Sequence, residues 1–236
     1  MQLPIVVLTC DKYDWLLSGF AYLFNRYWHT PDQPVIVAGF RQPPCALPAN
    51  FKFQPIAATE TLSWCEHIRK FAVQLPDYFV LLLDDYWLCQ PVEPTKLHRL
   101  LDTFIARKSD KADLSGNTVS FGADSLPGSK EFVIAHQHAK YRTSTQPAIW
   151  TKRYLLRHTT QRRSIWDFER LSGREARNDG AEIIAYNQAL VPVYSYANVC
   201  RKGKADPRHI RYIKPDDIAL LKQLGYADLL KAGGAV

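Results

Sequence analysis

Two adjacent carboxylates follow a run of apolar residues in this chain. Residues 78–83 read Tyr-Phe-Val-Leu-Leu-Leu, and Asp84 and Asp85 come directly after them. An apolar run of this length is typical of a strand buried on both faces, and ligands of open α/β sheets bind beyond the carboxyl ends of such strands. Carboxylates placed there are costly unless they hold a cation or a proton. The pair therefore predicts a site for a divalent metal and a phosphate-bearing substrate.

Adjacent strand residues point to opposite faces, so both carboxylates cannot bind one metal from a regular strand. If the strand ends at Leu83, the turn directs one carboxylate at the metal, and the other contacts a ribose or a metal-bound water. The alternative interpretation is an Asp-Asp turn that ends a buried strand and binds nothing. The apolar run before the turn makes this alternative the less favoured one.

The elements that would position this pair alternate between strands and helices in the first part of the chain. Strands are predicted at residues 4–9, 34–40, 51–56 and 78–83, and helices at 15–28, 61–75 and 94–106. Ser63 and Glu66 have the spacing of a capping box for the second helix. Such alternation is the pattern of a parallel, doubly wound sheet, so the predicted fold class is α/β.

The rest of the chain is less regular. Strands are predicted at 112–117, 131–136 and 191–199, and helices at 152–158, from 166, and at 181–190, 216–224 and 227–231. Residues 141–150 are predicted to lead into a helix, and 201–207 to form a basic loop. The sequence lacks the GxxxxGK[ST], GxGxxG and GxSxG motifs. This disfavours P-loop ATPases, dinucleotide oxidoreductases and α/β-hydrolases.

Composition is that of one globular domain. With 236 residues, of which 47% are hydrophobic, the chain is expected to form a single domain over 1–236. No apolar run is long enough for a transmembrane helix, and the N-terminus has no signal-peptide pattern. The five cysteines are scattered and form no CxxC pair. They predict reduced thiols, a cytoplasmic location and no zinc site.

Charge is distributed unevenly. The formal net charge is +7, and all of the excess positive charge lies after residue 100. One basic cluster comprises Lys152, Arg153, Arg157, Arg162, Arg163, Arg170, Arg174 and Arg177, and a second comprises Arg201, Lys202, Lys204, Arg208, Arg211 and Lys214. Such asymmetry predicts an anionic partner, namely a diphosphate, a nucleic acid or a membrane surface. A solvated basic face is the alternative.

Three features together resemble a GT-A-type nucleotide-sugar glycosyltransferase of the small bacterial and phage kind. They are a first strand ending in Thr9-Cys10-Asp11, the helix–strand alternation, and a fourth strand ending in Asp84-Asp85, and the resemblance covers roughly residues 4–200. It implies a GT-A-like (Rossmann-like), open, mostly parallel sheet flanked by helices, with a UDP-sugar donor and Mn or Mg on its diphosphate. The metal motif of the family is usually Asp-any-Asp. This chain departs from it because position 86 is Tyr.

The resemblance also implies roles for particular residues. The donor is expected at Thr9, Cys10, Asp11, Trp64, Asp84, Lys202 and Lys204, the metal at Asp84, Asp85 and His209, and the acceptor at Tyr86, Trp87, Ser144 and Gln146. Core packing is the alternative role of the aromatic residues. A plain turn around Pro147 is the alternative role of the segment that holds Ser144 and Gln146.

A second acidic motif, Trp166-Asp167-Phe168-Glu169, matches the helix start that supplies the catalytic base in this family. The base is therefore expected to be Asp167 or Glu169. A carboxylate base has to lie within hydrogen-bond reach of the attacking oxygen, in a site dry enough to raise its pKa. The alternative is that both acids favour a helix N-terminus because of its dipole.

Together these features predict a metal-dependent glycosyltransferase with a donor half over about 1–110 and a basic acceptor half over about 111–236. A polyanionic acceptor fits this division. One specific hypothesis is a 5-hydroxymethyl pyrimidine in double-stranded phage DNA, modified in the cytoplasm of the bacterial host. The competing acceptor is a lipopolysaccharide or capsule glycan at a membrane surface, and DNA is slightly favoured over it because no amphipathic anchor helix is evident. Two other classes stay open, a metal-dependent nucleotidyltransferase or nuclease and a nucleic-acid-binding module.

Overall fold

Strands and helices alternate along the part of the chain that the structure, a computed structural model, describes: residues 3–28, 34–58, 62–187, 192–201 and 203–232. The strands are β1 (Ile5–Leu8), β2 (Val35–Gly39), β3 (Phe51–Pro55), β4 (Tyr78–Leu83), β5 (Tyr86–Leu88), β6 (Lys111–Asp113), β7 (Ala123–Ser125), β8 (Phe132–Ala135), β9 (Ala148–Thr151), β10 (Ile183–Tyr186), β11 (Tyr196–Asn198), β12 (Cys200–Arg201) and β13 (Lys204–Ala205).

The helices lie between and after these strands. They are α1 (Leu17–Tyr27), α2 (Trp64–Ala72), α3 (Pro94–Arg107), α4 (Lys152–His158), α5 (Ile165–Asp167), α6 (Gly173–Glu175), α7 (Pro207–Ile210), α8 (Pro215–Leu221) and α9 (Ala227–Ala232). A π-helical segment, Phe168–Ser172, joins α5 to α6, and another, Lys222–Tyr226, joins α8 to α9. A 3₁₀ turn covers Thr118–Phe121. Among the described residues, no helix is long and apolar enough to cross a membrane.

The main sheet has nine strands in the order β3-β2-β1-β4-β9-β6-β10-β8-β7 among the described residues. The strands β1 to β4 are mutually parallel. β9 lies antiparallel between β4 and β6, and β8 lies antiparallel between β10 and β7. Because β10 is parallel to β6, only β8 and β9 oppose the common direction. This confirms the predicted open, mostly parallel α/β sheet.

The sheet separates two apolar clusters. Alternate residues of a strand point to opposite faces, so Val80 and Leu82 of β4 join a cluster with α1, α3 and the C-terminal helices. Phe79 and Leu81 join a second cluster with α2, α4 and Phe168. Full burial of such side chains contributes about 1.5–3 kcal/mol each. The continuous apolar sequence of β4 therefore follows from its position between two helical layers.

Several predicted elements are confirmed. The α2 helix begins at the predicted capping box, where Ser63 N donates to Glu66 Oε2 at 2.9 Å and Glu66 N donates to Ser63 Oγ at 3.4 Å. Pro94 opens α3 at its first turn, where no backbone N–H is required. The α4 helix has the predicted bounds.

Other predicted elements are wrong or incomplete. The predicted helix over 181–190 contains instead β10, which pairs with β6 and β8, while residues 188–190 lie outside the described residues. Its Ile-Ile-Ala-Tyr run is too short for periodicity to separate a helix from a buried strand. The predicted strand over 191–199 contains only β11 among its described residues, and β9 was not predicted as a strand.

Candidate active site

Asp84 joins the ends of the two central strands. The strands β1 and β4 are paired with Leu8 beside Leu83, so Thr9 and Asp84 follow at the same edge of the sheet. Thr9 Oγ1 donates to Asp84 Oδ2 at 2.5 Å, and the Asp84 side chain is buried. Burial and the neighbouring charge of Asp85 hold the pKa of Asp84 well above its usual range. The bond to Thr9 and the burial of its side chain therefore make Asp84 a structural link between the two strand ends.

Asp85 has a different environment. Its Oδ1 is buried and has no hydrogen-bond partner among the described residues. Its backbone carbonyl accepts from Val199 N at 3.0 Å, and the Asn198 amide, with its nitrogen turned toward Asp85, donates to Oδ2 at 3.2 Å. Burial, reinforced by the charge of Glu169, raises the pKa of Asp85 to about 7. This carboxylate has one oxygen available for a proton or a cation.

The charge of Glu169 contributes to the raised pKa of Asp85. Glu169 projects from the π-helical segment and is held by the turn before β9. Thr145 N and Thr145 Oγ1 donate to Glu169 Oε1 at 2.7 and 2.6 Å, and Ser144 Oγ donates to it at 3.5 Å. All these bonds fall on Oε1, so the carboxylate is oriented while Oε2 keeps its capacity to accept a proton.

The structure separates the two acids of the second motif. Asp167 Oδ2 accepts from Ser164 Oγ at 2.9 Å, and Asp167 Oδ1 pairs with Arg170 at 3.0 Å. The hydrogen bond from Ser164, followed by that from Arg170, lowers the pKa of Asp167. Asp167 is therefore the partner of the Ser164 cap at the start of α5. Of the two predicted bases, Glu169 is the one whose charge contributes to the raised pKa of Asp85.

A buried polar chain forms the wall between β5 and the turn before β9. Gln146 Nε2 donates to Tyr86 OH at 3.0 Å, and Tyr196 OH donates to Gln146 Oε1. The rings of Tyr86 and Tyr196 lie 4.8 Å apart, and Tyr194 OH donates to the Tyr86 carbonyl at 2.9 Å. Tyr86 and Gln146, both predicted at the acceptor site, thus lie together, with their polar groups bonded to each other.

Of the two predicted tryptophans, Trp87 packs in the protein interior and Trp64 is half-buried. Trp87 is 0% exposed, its Nε1 donates to the Asp84 carbonyl at 3.1 Å, and its ring packs against Tyr226 at 4.8 Å. A fully buried ring leaves no face for a substrate, so the structure does not support the acceptor role of Trp87. Trp64 opens α2, and its ring lies 4.9 Å from that of Phe168. Packing against Phe168 therefore explains the position of the Trp64 ring without a bound nucleobase.

Three predicted donor residues, Thr9, Cys10 and Asp11, follow β1, and Lys204 lies in the β12–β13 hairpin. Cys10 is half-buried, whereas Asp11 is exposed and pairs with Arg41 at 3.7 Å. Burial, followed by the charges of Cys200, Cys10 and Asp85, raises the pKa of Tyr13. Val199, which directly precedes this hairpin, donates from its backbone N to the Asp85 carbonyl, so the hairpin begins beside Asp85.

The tip of this hairpin is Gly203, whose φ of +78° lies in the left-handed region that favours glycine. A Cβ at this position would lie 3.2 Å from Lys12 Cε, so the tip approaches the loop after β1 closely. Lys204 is exposed beside it, and Lys202 lies outside the described residues. The hairpin thus brings positive charge to the edge of the sheet where β1 and β4 end.

The predicted metal ligands are not assembled into one cluster. Among the described residues, no group of three or more His, Cys, Asp or Glu side chains could hold a metal ion. His209 lies in α7, and its Nδ1 is buried without a hydrogen-bond partner among these residues. The unpartnered Asp85 Oδ1 nevertheless fits a single carboxylate ligand, because Mg²⁺ is often held by one carboxylate, substrate phosphates and water.

Lys111 supports the turn that carries Ser144 and Thr145, and it was not predicted. It is 0% exposed, and its Nζ donates to the Ser144 carbonyl at 2.7 Å and to the Arg142 carbonyl at 3.4 Å. Burial lowers the pKa of Lys111 to about 8, although the negative charges of Asp113 and Glu169 act to raise it. Thr145 was also missed, although it lies between two predicted residues, Ser144 and Gln146.

Most of the first basic cluster is ion-paired within the chain. The pairs are Lys152–Asp77, Arg153–Asp110, Arg162–Glu66, Arg163–Glu175 and Arg170–Asp167. In addition, Arg157 Nη2 donates to the Asp179 carbonyl at 3.0 Å. Counting basic residues in the sequence therefore overestimates the free positive charge on this surface.

Comparison with known proteins gives similarity in structure alone. No family model and no curated protein sequence matches the chain. The structure resembles S. aureus TarS with a TM-score of 0.51 and 15% identity, covering 98% of this chain and 43% of TarS. Lower TM-scores are found for a CMP:2-keto-3-deoxy-manno-octonic acid synthetase (0.45, 11% identity, 78% of this chain and 89% of that one) and a UDP-glucose pyrophosphorylase from Acinetobacter baumanii (0.43, 9%, 79% and 86%). The chain therefore has a GT-A-like α/β fold.

Proposed function

We propose that this protein is a glycosyltransferase that moves a sugar from a nucleotide-diphosphate sugar to an acceptor hydroxyl. The observation that carries the proposal is the pair Asp85 and Glu169. One carboxylate stands at the end of the central strands with an unpartnered oxygen, and the other is oriented by Thr145 and contributes its charge to the raised pKa of the first. This arrangement supports two roles, charge compensation at a diphosphate and proton removal from a hydroxyl.

The donor binds at the edge where β1 and β4 end, where ligands of open α/β sheets bind. Thr9, Cys10 and Asp11 line this edge, and the exposed Arg201 and Lys204 flank it from the hairpin. Their positive charge would compensate the leaving diphosphate, a contribution that is large when the charges are already in place. A uridine nucleotide follows from the resemblance in sequence to GT-A enzymes.

A divalent metal, Mn or Mg, would be held by Asp85 together with the donor phosphates. Bound there, such an ion supplies a positive charge that stabilises the diphosphate as it leaves. Asp85 is suited to this role because its Oδ1 is buried without a partner among the described residues. The bond from Thr9 positions Asp84 behind it.

Glu169 removes the proton of the acceptor hydroxyl. The two bonds from Thr145 restrict rotation of the carboxylate, so that Oε2 can accept the proton while Oε1 stays bound. Lys111 holds the carbonyls of the same turn and so keeps Thr145 in position. A glycan is the acceptor that we favour over DNA, since most of the first basic cluster is compensated by acids.

Thermal unfolding with nucleotides tests the donor site. We expect UDP with Mn²⁺ to raise Tm more than UDP alone, because a ligand that binds only the folded state stabilises it by about 2.7 kcal/mol at a hundred times its Kd. Asp85→Asn should lose the manganese-dependent part of the shift. Asp102→Asn, at an exposed position of α3, is the matched control and should keep it.

Other outcomes identify the alternatives. A rise in Tm with CDP or GDP, but not with UDP, would support a transferase that uses a different nucleotide in its donor. No shift with any of these nucleotides, with or without Mn²⁺, would contradict a nucleotide-sugar transferase. Stabilisation by duplex DNA alone would favour a nucleic-acid-binding module.

A further inference from the structure

Two exposed aromatic rings lie side by side near the candidate base. Phe121 is 42% exposed and Tyr141 is 43% exposed, and their ring centroids are 5.2 Å apart. Large aromatic side chains are usually buried in protein cores. A pair of them exposed side by side therefore marks a candidate binding surface. We call Phe121 and Tyr141 the aromatic platform.

Tyr141 adopts a backbone conformation that few side chains tolerate. Its φ is +58°, in the left-handed region, where a bulky residue other than glycine is a genuine outlier. Such a residue persists only where the surrounding structure determines its conformation, and these outliers concentrate at functional sites. Neither glycine nor asparagine, the residues that this conformation favours, occupies the position.

Buried charged residues hold both segments that carry the rings. Arg142, next to Tyr141, is fully buried, and its guanidinium donates to the carbonyls of Ala176, His136 and Ala181. On the other segment, Asp113 accepts from Thr118 N at 2.6 Å and from Gly116 N at 3.0 Å, which fixes the turn that ends at Phe121. Hydrogen bonds to buried charged groups therefore fix the backbone of both segments that carry the platform.

The platform is continuous with the turn that orients Glu169. Ser144 N donates to the Tyr141 carbonyl at 2.9 Å, and the next residue, Thr145, donates twice to Glu169. From the other side, a Cβ on Gly173 would lie 3.4 Å from Tyr141 Cα. Gly173 follows Glu169 by four residues, at the start of α6.

We propose that the aromatic platform binds a sugar ring of the acceptor, so that the acceptor is a glycan whose neighbouring hydroxyl faces Glu169. This inference rests on the proposed function, because it takes Glu169 to be the base that deprotonates the acceptor bound at the platform. A pyranose has an apolar ring face that an aromatic ring covers, and its hydroxyl groups remain free for polar contacts at the rim. Lys140, exposed and next to Tyr141 in sequence, adds a positive charge at that rim.

The dimensions of the platform favour a ring-sized ligand. A stable protein partner would need about 800 Å² on this surface, far more than two half-exposed rings provide. A nucleobase would also stack on the rings, but it would bring phosphates that require free cations. Most of the first basic cluster is instead compensated by acids of the same chain.

Retention on an array of immobilised oligosaccharides tests the platform. The array carries neutral hexoses, N-acetylhexosamines and uronic acids, and we expect the wild-type protein to be retained on at least one of these classes. Phe121→Ala and Tyr141→Gly should each weaken retention about tenfold, the equivalent of one aromatic contact. Tyr141→Phe should retain binding, as should Tyr212→Ala at an exposed aromatic residue outside the platform.

Tyr141→Gly also separates binding from folding, because glycine removes the left-handed strain and should leave Tm unchanged or higher. The proposal is overturned if no oligosaccharide retains the wild-type protein, or if retention survives both Phe121→Ala and Tyr141→Gly. Binding of a single-stranded DNA oligonucleotide that is lost in the same variants would assign the rings to nucleobases and overturn it as well. Nucleotide-dependent Tm shifts report on the donor site separately, so failure of the platform and failure of the transferase function give different results.

Discussion

Asp84 and Asp85 are adjacent in sequence, yet their surroundings give them different roles. Asp84 is bonded to Thr9 and buried between strand ends, whereas Asp85 keeps an unpartnered oxygen among the described residues. Residue types alone predicted that the two acids divide their roles, because neighbouring side chains cannot face one metal from a strand. They could not predict which acid is the open one, since this depends on Thr9 and Asn198, which lie elsewhere in the sequence.

The raised pKa of Asp85 predicts a pH-dependent stability. Its folded-state pKa of about 7 lies above the usual value, so the protonated form stabilises the fold at low pH. That contribution is lost as pH rises from about 4 to about 7, with an upper limit of about 4 kcal/mol. Asp85→Asn should therefore be more stable than the wild type at pH 8, with a smaller difference at pH 5.

Urea unfolding at both pH values measures this difference, and exposed Asp102→Asn serves as the control. A destabilising effect of Asp85→Asn at pH 8 would show that the Asp85 charge is compensated in the protein. Added Mn²⁺ should reduce the stability difference between Asp85→Asn and the wild type at pH 8, because it stabilises only the protein that keeps the Asp85 carboxylate.

The separation of Asp167 from Glu169 predicts that only one of them is essential. Glu169→Gln keeps the size of the side chain and removes the base, so the rate of sugar transfer should fall by about 10²–10⁴-fold. Asp167→Asn, at the third residue of α5, should change the rate by less than about threefold, because among the described residues its side chain bonds to Ser164 and Arg170. Transfer assays with matched donor and acceptor give both rates. The opposite order of effects would make Asp167 the base.

At the scale of elements, the sequence predicted those whose signals are local. The β4 strand, the α4 helix and the Ser63–Glu66 box all depend on neighbouring residues, and the structure confirms them. The β10 strand was wrongly predicted as helical because its identity depends on pairing with β6 and β8. The contact between Thr145 and Glu169 likewise joins distant segments, so no periodic pattern could reveal it.

The capping box of α2 predicts a measurable contribution to stability. Ser63 satisfies the Glu66 backbone N–H, and its removal should lower the free energy of unfolding by about 1 kcal/mol. Urea unfolding of Ser63→Ala measures the loss, and Ser125→Ala on the exposed edge strand β7 is the control. Nucleotide-dependent Tm shifts should persist in Ser63→Ala. Equal stability of the two variants would mean that solvent replaces the cap.

At the scale of the whole molecule, the C-terminal segment returns to the N-terminal part of the chain. Tyr226 OH donates to the Trp15 carbonyl at 2.6 Å and accepts from Gly19 N at 3.0 Å. Asp217, fully buried, accepts from Tyr27 OH at 2.5 Å and pairs with Arg26 at 2.7 Å. The charge division seen in the sequence therefore does not describe two separate bodies, since residues after 210 pack directly on α1.

Internal ion pairing predicts weak binding to duplex DNA. A protein that neutralises many phosphates loses affinity steeply with salt, with a slope of about −0.9 for each phosphate contacted. Because acids of the same chain compensate most of the first basic cluster, we expect a slope no steeper than about −2 between about 50 and 200 mM salt. Arg174 and Arg177 form no ion pair among the described residues, so Arg174→Glu and Arg177→Glu should weaken the binding that the first basic cluster contributes. Fluorescence anisotropy of a labelled duplex gives the slope.

Binding at physiological salt with a slope near −6 would instead require a free basic surface, and it would restore DNA as the acceptor.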